Sequence, residues 1–383
     1  MSDRAGMRRQ ETAPTAALVL PGGGARAAYQ VGVLKAVARV LPERQAPFPV
    51  ITGTSAGAIN AAVMASHAGN FSHGQSRLEH FWGHMRCRDI YRTGWLHIAG
   101  RGLHWLAALT LGGLGVGNPR SLLDNSPLGR LLDRELQFGG IGQAIDSGAL
   151  QALMITASGY TTARAVTFFQ AADAVTGWLD GKHVGRPAQI TTRHLLGSAA
   201  LPLLFPAARI GHEYFGDGGM RQTTPLRPAI HMGADRMLII GTRDLRPDPE
   251  PDKRVQYPSL GDIGAYLLDV IFMDYLTNDL DRLRRINRAL RQMSPPEREK
   301  TGLRHIETLA IHPSEDVRDI AARHAHRVPA SVRALLRGVG ARKRGRLPSY
   351  LLFEAEFCRE LMELGFRDGL AEADGIRALF GDD

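Results

Sequence analysis

Ala17-Leu18-Val19-Leu20 is an unbroken apolar run too short for a helix, which predicts a strand buried on both faces. Three glycines follow it, and from Ala25 to Val40 the apolar positions return with a helical period. The alternation repeats: Phe48-Pro49-Val50-Ile51-Thr52 reads as a strand, and the alanine-rich stretch from Ala56 to Ala65 as the next helix. Glu213-Tyr214-Phe215 reads as a short strand, and Arg236 to Ile240, stopped by Gly241, as a central parallel one. Beyond residue 258 the pattern is mainly helical. Ile263 to Leu290 is amphipathic and ends in arginines suited to a helix C-terminus. Ile306 to Ile311 predicts one more strand. A last helix is predicted from Tyr350 to Phe366, burying Leu351, Phe353, Phe357, Leu361 and Leu364.

Strands alternating with helices predict an α/β fold with a mostly parallel central sheet. Residues 1–16 are polar and read as a disordered tail, residues 17–245 as one α/β catalytic domain, and the proline-rich stretch 246–258 as a linker or loop. Residues 259–383 read as a mainly helical extension. A lone strand near residue 307 needs neighbours for its backbone, so this extension is expected to pack on the catalytic domain.

Two glycine-rich junctions carry candidate chemistry. Gly53-Thr54-Ser55-Ala56-Gly57 has the G-x-S-x-G pattern of a nucleophile elbow, in which a serine sits on a sharp strand-to-helix turn with small neighbours. The plainer reading makes Thr54 or Ser55 a helix cap. Gly22-Gly23-Gly24-Ala25-Arg26, also between strand and helix, can aim bare backbone N–H groups at an oxyanion. Arg26 would brace that loop or meet an anionic substrate. Gly22, Gly24 and Ala27 also satisfy a dinucleotide-binding spacing, with Glu43 as the acid, which gives a non-hydrolytic alternative that leaves Ser55 unexplained. A nucleophilic serine needs a base, and Asp217-Gly218-Gly219 offers a carboxylate expected at a loop tip. Leu201 to Pro206, apolar and broken by two prolines, predicts a rigid wall beside the site.

Four segments, Gly22 to Arg26, Gly53 to Gly57, Ser198-Ala199-Ala200-Leu201-Pro202 and Asp217 to Gly219, stand in the order found in patatin-like phospholipases, and the chain resembles that family over residues 17 to about 245. The resemblance implies a three-layer, patatin-like fold and a Ser-Asp dyad without a catalytic histidine. Ser55 would be the nucleophile and Asp217 the base, with Gly22, Gly23, Gly24 and Ala25 as the oxyanion hole. Arg26, Gly53, Gly57, Gly218 and Gly219 would support the motifs. It further implies hydrolysis of phospholipids or other fatty-acyl esters, as a phospholipase A or lysophospholipase-type esterase, with no cofactor and no metal. Ala27 departs from the glycine common at that place in the family. Were a third catalytic member present, His231 would be the choice. A patatin-like scaffold without turnover is the remaining alternative, which the presence of both Ser55 and Asp217 argues against.

Composition changes this picture little. The 383 residues carry a net charge of +9, and of the 47 basic residues only five are lysine. A basic surface suits anionic lipid headgroups. No nucleic-acid-binding signature appears, and Arg342 to Arg346 reads as a solvated loop. His80 and His84 lack the acidic partner of a H-E-x-x-H zinc motif. Cys87 and Cys358 indicate no disulfide framework. With neither a signal peptide nor a membrane span recognisable, a cytoplasmic protein is expected, peripheral membrane contact being the alternative. That contact would come from Trp95 to Asn118, rich in tryptophan and leucine, read as an apolar cap able to dip into lipid.

Overall fold

β1 (Ala16–Leu20) runs through the middle of the sheet, flanked on both sides by parallel strands, and all five of its residues are buried. The computed structural model describes residues 14–111, 120–172, 175–246, 257, 259–269, 275–338, 340 and 346–381. The remaining strands are β2 (Val50–Thr54), β3 (Ala152–Gly159), β4 (Ala165–Ala171), β5 (Trp178–Asp180), β6 (His183–Pro187), β7 (Ala208–Ile210), β8 (Glu213–Asp217), β9 (Arg236–Ile240) and β10 (Glu307–Ile311). Their order is β10-β9-β1-β2-β3-β4-β6-β5, and the block from β10 to β3 is entirely parallel. β4 turns back antiparallel to β3, while β7 and β8 form a hairpin whose β8 also pairs with β3.

Side-chain alternation divides the core in two. Leu18 and Leu20 point into one apolar layer with the helices Ala28–Val40, Ala56–Ser66 and Ala355–Ala371. Ala17 and Val19 point into the other, covered by the helices Arg227–His231 and Tyr275–Gln292. Helices thus cover both faces of a mostly parallel sheet, as the alternating pattern predicts. The extension is built into this frame. β10 adds a parallel edge strand beside β9, and Ala355–Ala371 lies so close on Ala28–Val40 that a Cβ on Gly32 would stand 1.9 Å from the Met362 carbonyl oxygen. Tyr29 Oη donates to Asp368 across the same seam at 2.9 Å.

Several predicted boundaries shift. Ala16, assigned to the tail, belongs to β1, and residues 1–13 lie outside the described residues. β2 begins two residues later than Phe48, after Pro49. The first helix starts as a 3-10 turn, Gly24–Ala27, before Ala28–Val40. Of the segment expected to be helical from Ile263 to Leu290, the described residues are helical, in Leu260–Asp269 and Tyr275–Gln292, and 270–274 lie outside the described residues. The helix expected from Tyr350 is divided: Arg346–Leu351 ends before a non-helical connection, and Ala355–Ala371 follows. Most of the proline-rich stretch, the cluster at 342–345, and 112–118 of the apolar segment lie outside the described residues. The apolar segment's first part is a helix, Trp95–Leu111, with Leu96 and Leu103 exposed and Ile98 buried. No helix among the described residues is long and apolar enough to cross a membrane.

Candidate active site

The chain leaves β2 through Ser55, whose φ of 55° and ψ of −129° place a non-glycine residue where L-residues rarely go. Such a conformation costs on the order of 1–3 kcal/mol and persists only where the surroundings impose it. Here they do. A Cβ on Gly57 would lie 2.1 Å from the Leu20 carbonyl oxygen, and one on Gly53 2.4 Å from the Gly57 oxygen, so the turn closes only with glycine at both places. Ser55 N–H donates to Ser198 Oγ at 2.9 Å, and that hydroxyl donates in turn to the Thr156 carbonyl at 2.6 Å. Ser198→Ala would leave a buried N–H and a buried carbonyl unpaired, each worth about 1–3 kcal/mol. We expect a loss of about 2 kcal/mol in urea unfolding, with the fold retained.

β3 brings Asp217 to this turn. β2 pairs along β3 as far as Thr54 opposite Thr156, and β8 takes over the same edge with Asp217 opposite Ala157. Consecutive residues of one strand therefore hold the end of β2 and the end of β8 side by side. Gly218 makes the approach possible, because a Cβ there would sit 2.2 Å from the Thr156 oxygen and 2.8 Å from Thr54 Cγ2. The sequence suggested a carboxylate at a loop tip. Instead Asp217 ends a strand and is fully buried, because the turn after it folds inward against β3. Its Oδ1 accepts the Gly219 N–H at 2.9 Å, whereas Oδ2 is buried with no donor in hydrogen-bond geometry among the described residues. Burial pushes the carboxyl pKa up to about 7, with the Ser55 hydroxyl and the Gly219 amide drawing it back. The Ser55 hydroxyl is thus near enough to stabilise the carboxylate without completing a hydrogen bond to Oδ2.

The glycine loop lies above β1, at the point where chain progression changes direction: one way through β2 and β3, the other through β9 and β10. Open α/β sheets form their ligand crevices at such points. Thr242, just past β9, donates to the Gly22 carbonyl at 2.8 Å. Gly24, at φ +57°, presses on Tyr350, whose carbonyl oxygen would be 2.3 Å from any Cβ there. The 3-10 turn that begins at Gly24 has leading N–H groups without intrahelical acceptors. Arg26 is fully buried and braces the loop: its guanidinium donates to Ser349 Oγ at 2.7 and 2.9 Å and to Tyr350 Oη at 3.0 Å. Its guanidinium is thus committed to residues of the extension, which favours the bracing reading over contact with an anionic substrate. Ala25 is buried as well.

Sequence reading missed the polar chain beneath this loop. Gln30 Nε2 donates to the Pro21 carbonyl at 2.9 Å and to the Ile240 carbonyl at 3.2 Å. Asn60 donates to Gln30 and to the Ala27 carbonyl, and accepts from Trp82 Nε1 at 2.8 Å. Thr54, Gln222 and Thr156 form a second buried chain under the Asp217 turn. One signal was available: Gln30 and Asn60 are lone amides in otherwise apolar helical stretches, a pattern expected only of polar groups with buried partners.

Other candidates lie elsewhere. His231 stacks on Trp178 at 4.8 Å, with Arg227 and His183 beside it. Glu43 is exposed in the turn after the first helix and not at the end of β2, where a dinucleotide fold needs its acid. The His80 and His84 rings lie 4.3 Å apart, tilted by 38°. Cys87 and Cys358 are buried free thiols. Among the described residues, no three His, Cys, Asp or Glu side chains gather as a metal site.

Ser55 opens into a slot lined by Ile59, Trp82, Leu128, Leu201, Phe205 and Phe353, nearly all apolar. Leu201 and Phe205 supply the predicted wall, while Leu203 points out, 64% exposed. A family model described as patatin-like phospholipase matches residues 18–230. The chain belongs to the patatin-like phospholipase family. Its mixed α/β fold with a mostly parallel sheet is patatin-like, with a helical C-terminal region beyond the matched residues, and the family is named for phospholipid hydrolysis. No match was found among curated proteins. Among solved structures, VipD from Legionella pneumophila is similar at 11% identity, with 95% of this chain and 67% of that chain covered and a TM-score of 0.38. The type III effector ExoU gives 13% identity, 95% and 53% coverage and a TM-score of 0.37. Human GIVD cytosolic phospholipase A2 gives 10% identity, 96% and 60% coverage and a TM-score of 0.45. The chain thus spans roughly half to two thirds of the length of these proteins.

Proposed function

We propose that this patatin-like protein is a serine acyl hydrolase acting on fatty-acyl esters of phospholipid or lysophospholipid type. One juxtaposition carries the reading: a serine on a strained turn, beside a fully buried carboxyl poised near neutral pH, at the end of an apolar slot. Asp217 takes the proton as Ser55 Oγ bonds to the ester carbonyl carbon. The resulting oxyanion is held by backbone N–H groups of Gly22, Gly23, Gly24 and Ala25, each preorganised donor being worth about 3 kcal/mol. Collapse of this intermediate expels the alcohol, which takes the proton from Asp217. Water, deprotonated by the same carboxylate, then attacks the acyl carbonyl, and collapse releases the fatty acid while the departing Ser55 Oγ takes the proton back from Asp217. The exposed Trp95, Leu96 and Leu103 and the charge of +9 support docking on an anionic lipid surface.

The test uses p-nitrophenyl butyrate and laurate, with labelling by a fluorophosphonate, in buffer and on anionic vesicles. Turnover with labelling of a single serine is the expected result. Protein inert to ester and probe under both conditions would be a non-catalytic scaffold, and the proposal would fail.

A further inference from the structure

The slot beside Ser55 has a cavity volume of about 30 Å³. That is room for no more than a water or two, so an acyl chain enters only where a wall gives way. All but one of the lining residues come from positions 24–205, inside the family-matched region, and Phe353 is the exception. It lies on the non-helical connection between Arg346–Leu351 and Ala355–Ala371, well past residue 230. We propose that Phe353 sets the length of acyl chain the slot accepts, an inference that rests on the acyl-hydrolase reading above.

The connection itself is pinned on both sides of Phe353. Tyr91 Oη donates to the Leu351 carbonyl at 2.8 Å, and Glu354 Oε1 accepts the Cys87 N–H at 3.1 Å. Between these anchors the Phe353 ring is only 7% exposed. It stacks on the Trp82 indole, with centroids 6.2 Å apart and planes 23° from parallel, and meets Tyr91 edge-on at 6.4 Å. Trp82 is less free to move, because its Nε1 is committed to Asn60 beneath the glycine loop. The Phe353 side chain carries no polar group and is held by ring and other apolar contacts, so it can yield or be resized without unpairing a hydrogen bond. The main chain around it still keeps the slot's shape, since the same segment presses Tyr350 on Gly24 and Ser349 on Arg26. The extension thereby becomes a substrate-selecting part of the enzyme.

The experiment compares kcat/KM for p-nitrophenyl laurate with that for the butyrate in wild type, Phe353→Ala and Phe353→Trp, with thermal melting followed by circular dichroism. The laurate-to-butyrate ratio is expected to rise about 10-fold in Phe353→Ala and to fall in Phe353→Trp, since one methylene in an apolar pocket is worth about 10-fold or more. If Phe353→Ala does not fold, Phe353→Leu keeps the apolar contact and reads the same ratio with a smaller shift. A folded variant in which both esters slow by the same factor assigns Phe353 a packing role only and overturns the inference. Wild type inert to both esters and to the fluorophosphonate overturns the hydrolase reading, and this inference with it.

Discussion

Ser55→Ala is expected to lower kcat/KM toward both nitrophenyl esters by about 10⁴-fold or more and to abolish fluorophosphonate labelling, while the protein stays folded. Alanine removes only the oxygen, and the main-chain bond from residue 55 to Ser198 Oγ remains. Asp217→Asn is expected to cost about 10³- to 10⁴-fold, because an amide cannot take the serine proton. The shape of the pH profile separates a base from a bystander. With its pKa raised to about 7, Asp217 is largely protonated at pH 6 and ionised at pH 8. The base must be ionised to act, so the wild-type rate should rise with pH through about 7 and then level off. A rate flat from pH 5.5 to 8.5 in wild type, or an Asp217→Asn variant with full turnover, would sink the dyad.

Part of this site is plain in the sequence, and what divides the two parts is the range of the interactions. Gly53, Ser55 and Gly57 announce themselves because their constraint is local: a turn between strand and helix leaves no space for Cβ, and five adjacent residues record that. Gly22 to Gly24 are similar. Asp217 was legible as a residue but not as an environment. Its burial depends on β8 continuing the edge of β3 beyond Thr156, a pairing between segments nearly sixty residues apart. The same holds for Arg26, whose partners Ser349 and Tyr350 lie more than three hundred residues away.

The extension shows how periodicity fails in a second way. Leu351, Leu352 and Phe353 are all buried, although three consecutive residues cannot lie on one helical face. Leu351 ends the helix Arg346–Leu351, and Leu352 and Phe353 belong to the buried connection after it, where burial obeys no period, so an apolar stretch running into Phe357 and Leu361 resembles one long helix. β10 was recovered because a five-residue β-rich run between polar segments has few alternatives. Its place beside β9 could be argued only from the need of its backbone for partners.

Stability carries the second large effect, and its sign opposes that of activity. The folded pKa of Asp217 is about 7, against an ordinary value of 3.8 in the unfolded chain. Between these values the folded protein holds a proton that the unfolded chain has released, so unfolding free energy from this group falls as pH rises from about 4 to about 7, then stays flat. Three pKa units correspond to about 4 kcal/mol of strain carried above pH 7 by burying this carboxylate. Asp217→Asn removes the titration and keeps the shape. At pH 8 the variant should therefore be more stable than wild type by roughly 2 kcal/mol or more, the gain reduced by the cost of burying the amide's own donors. Near pH 4, where both proteins are neutral at this position, that gain should vanish. Urea unfolding of the pair at pH 4.5, 6 and 8 reads the difference directly, since every other titrating group is common to both. Stability differences that do not change with pH would show that Asp217 does not titrate near neutrality, and would remove the electrostatic basis for its role as the base.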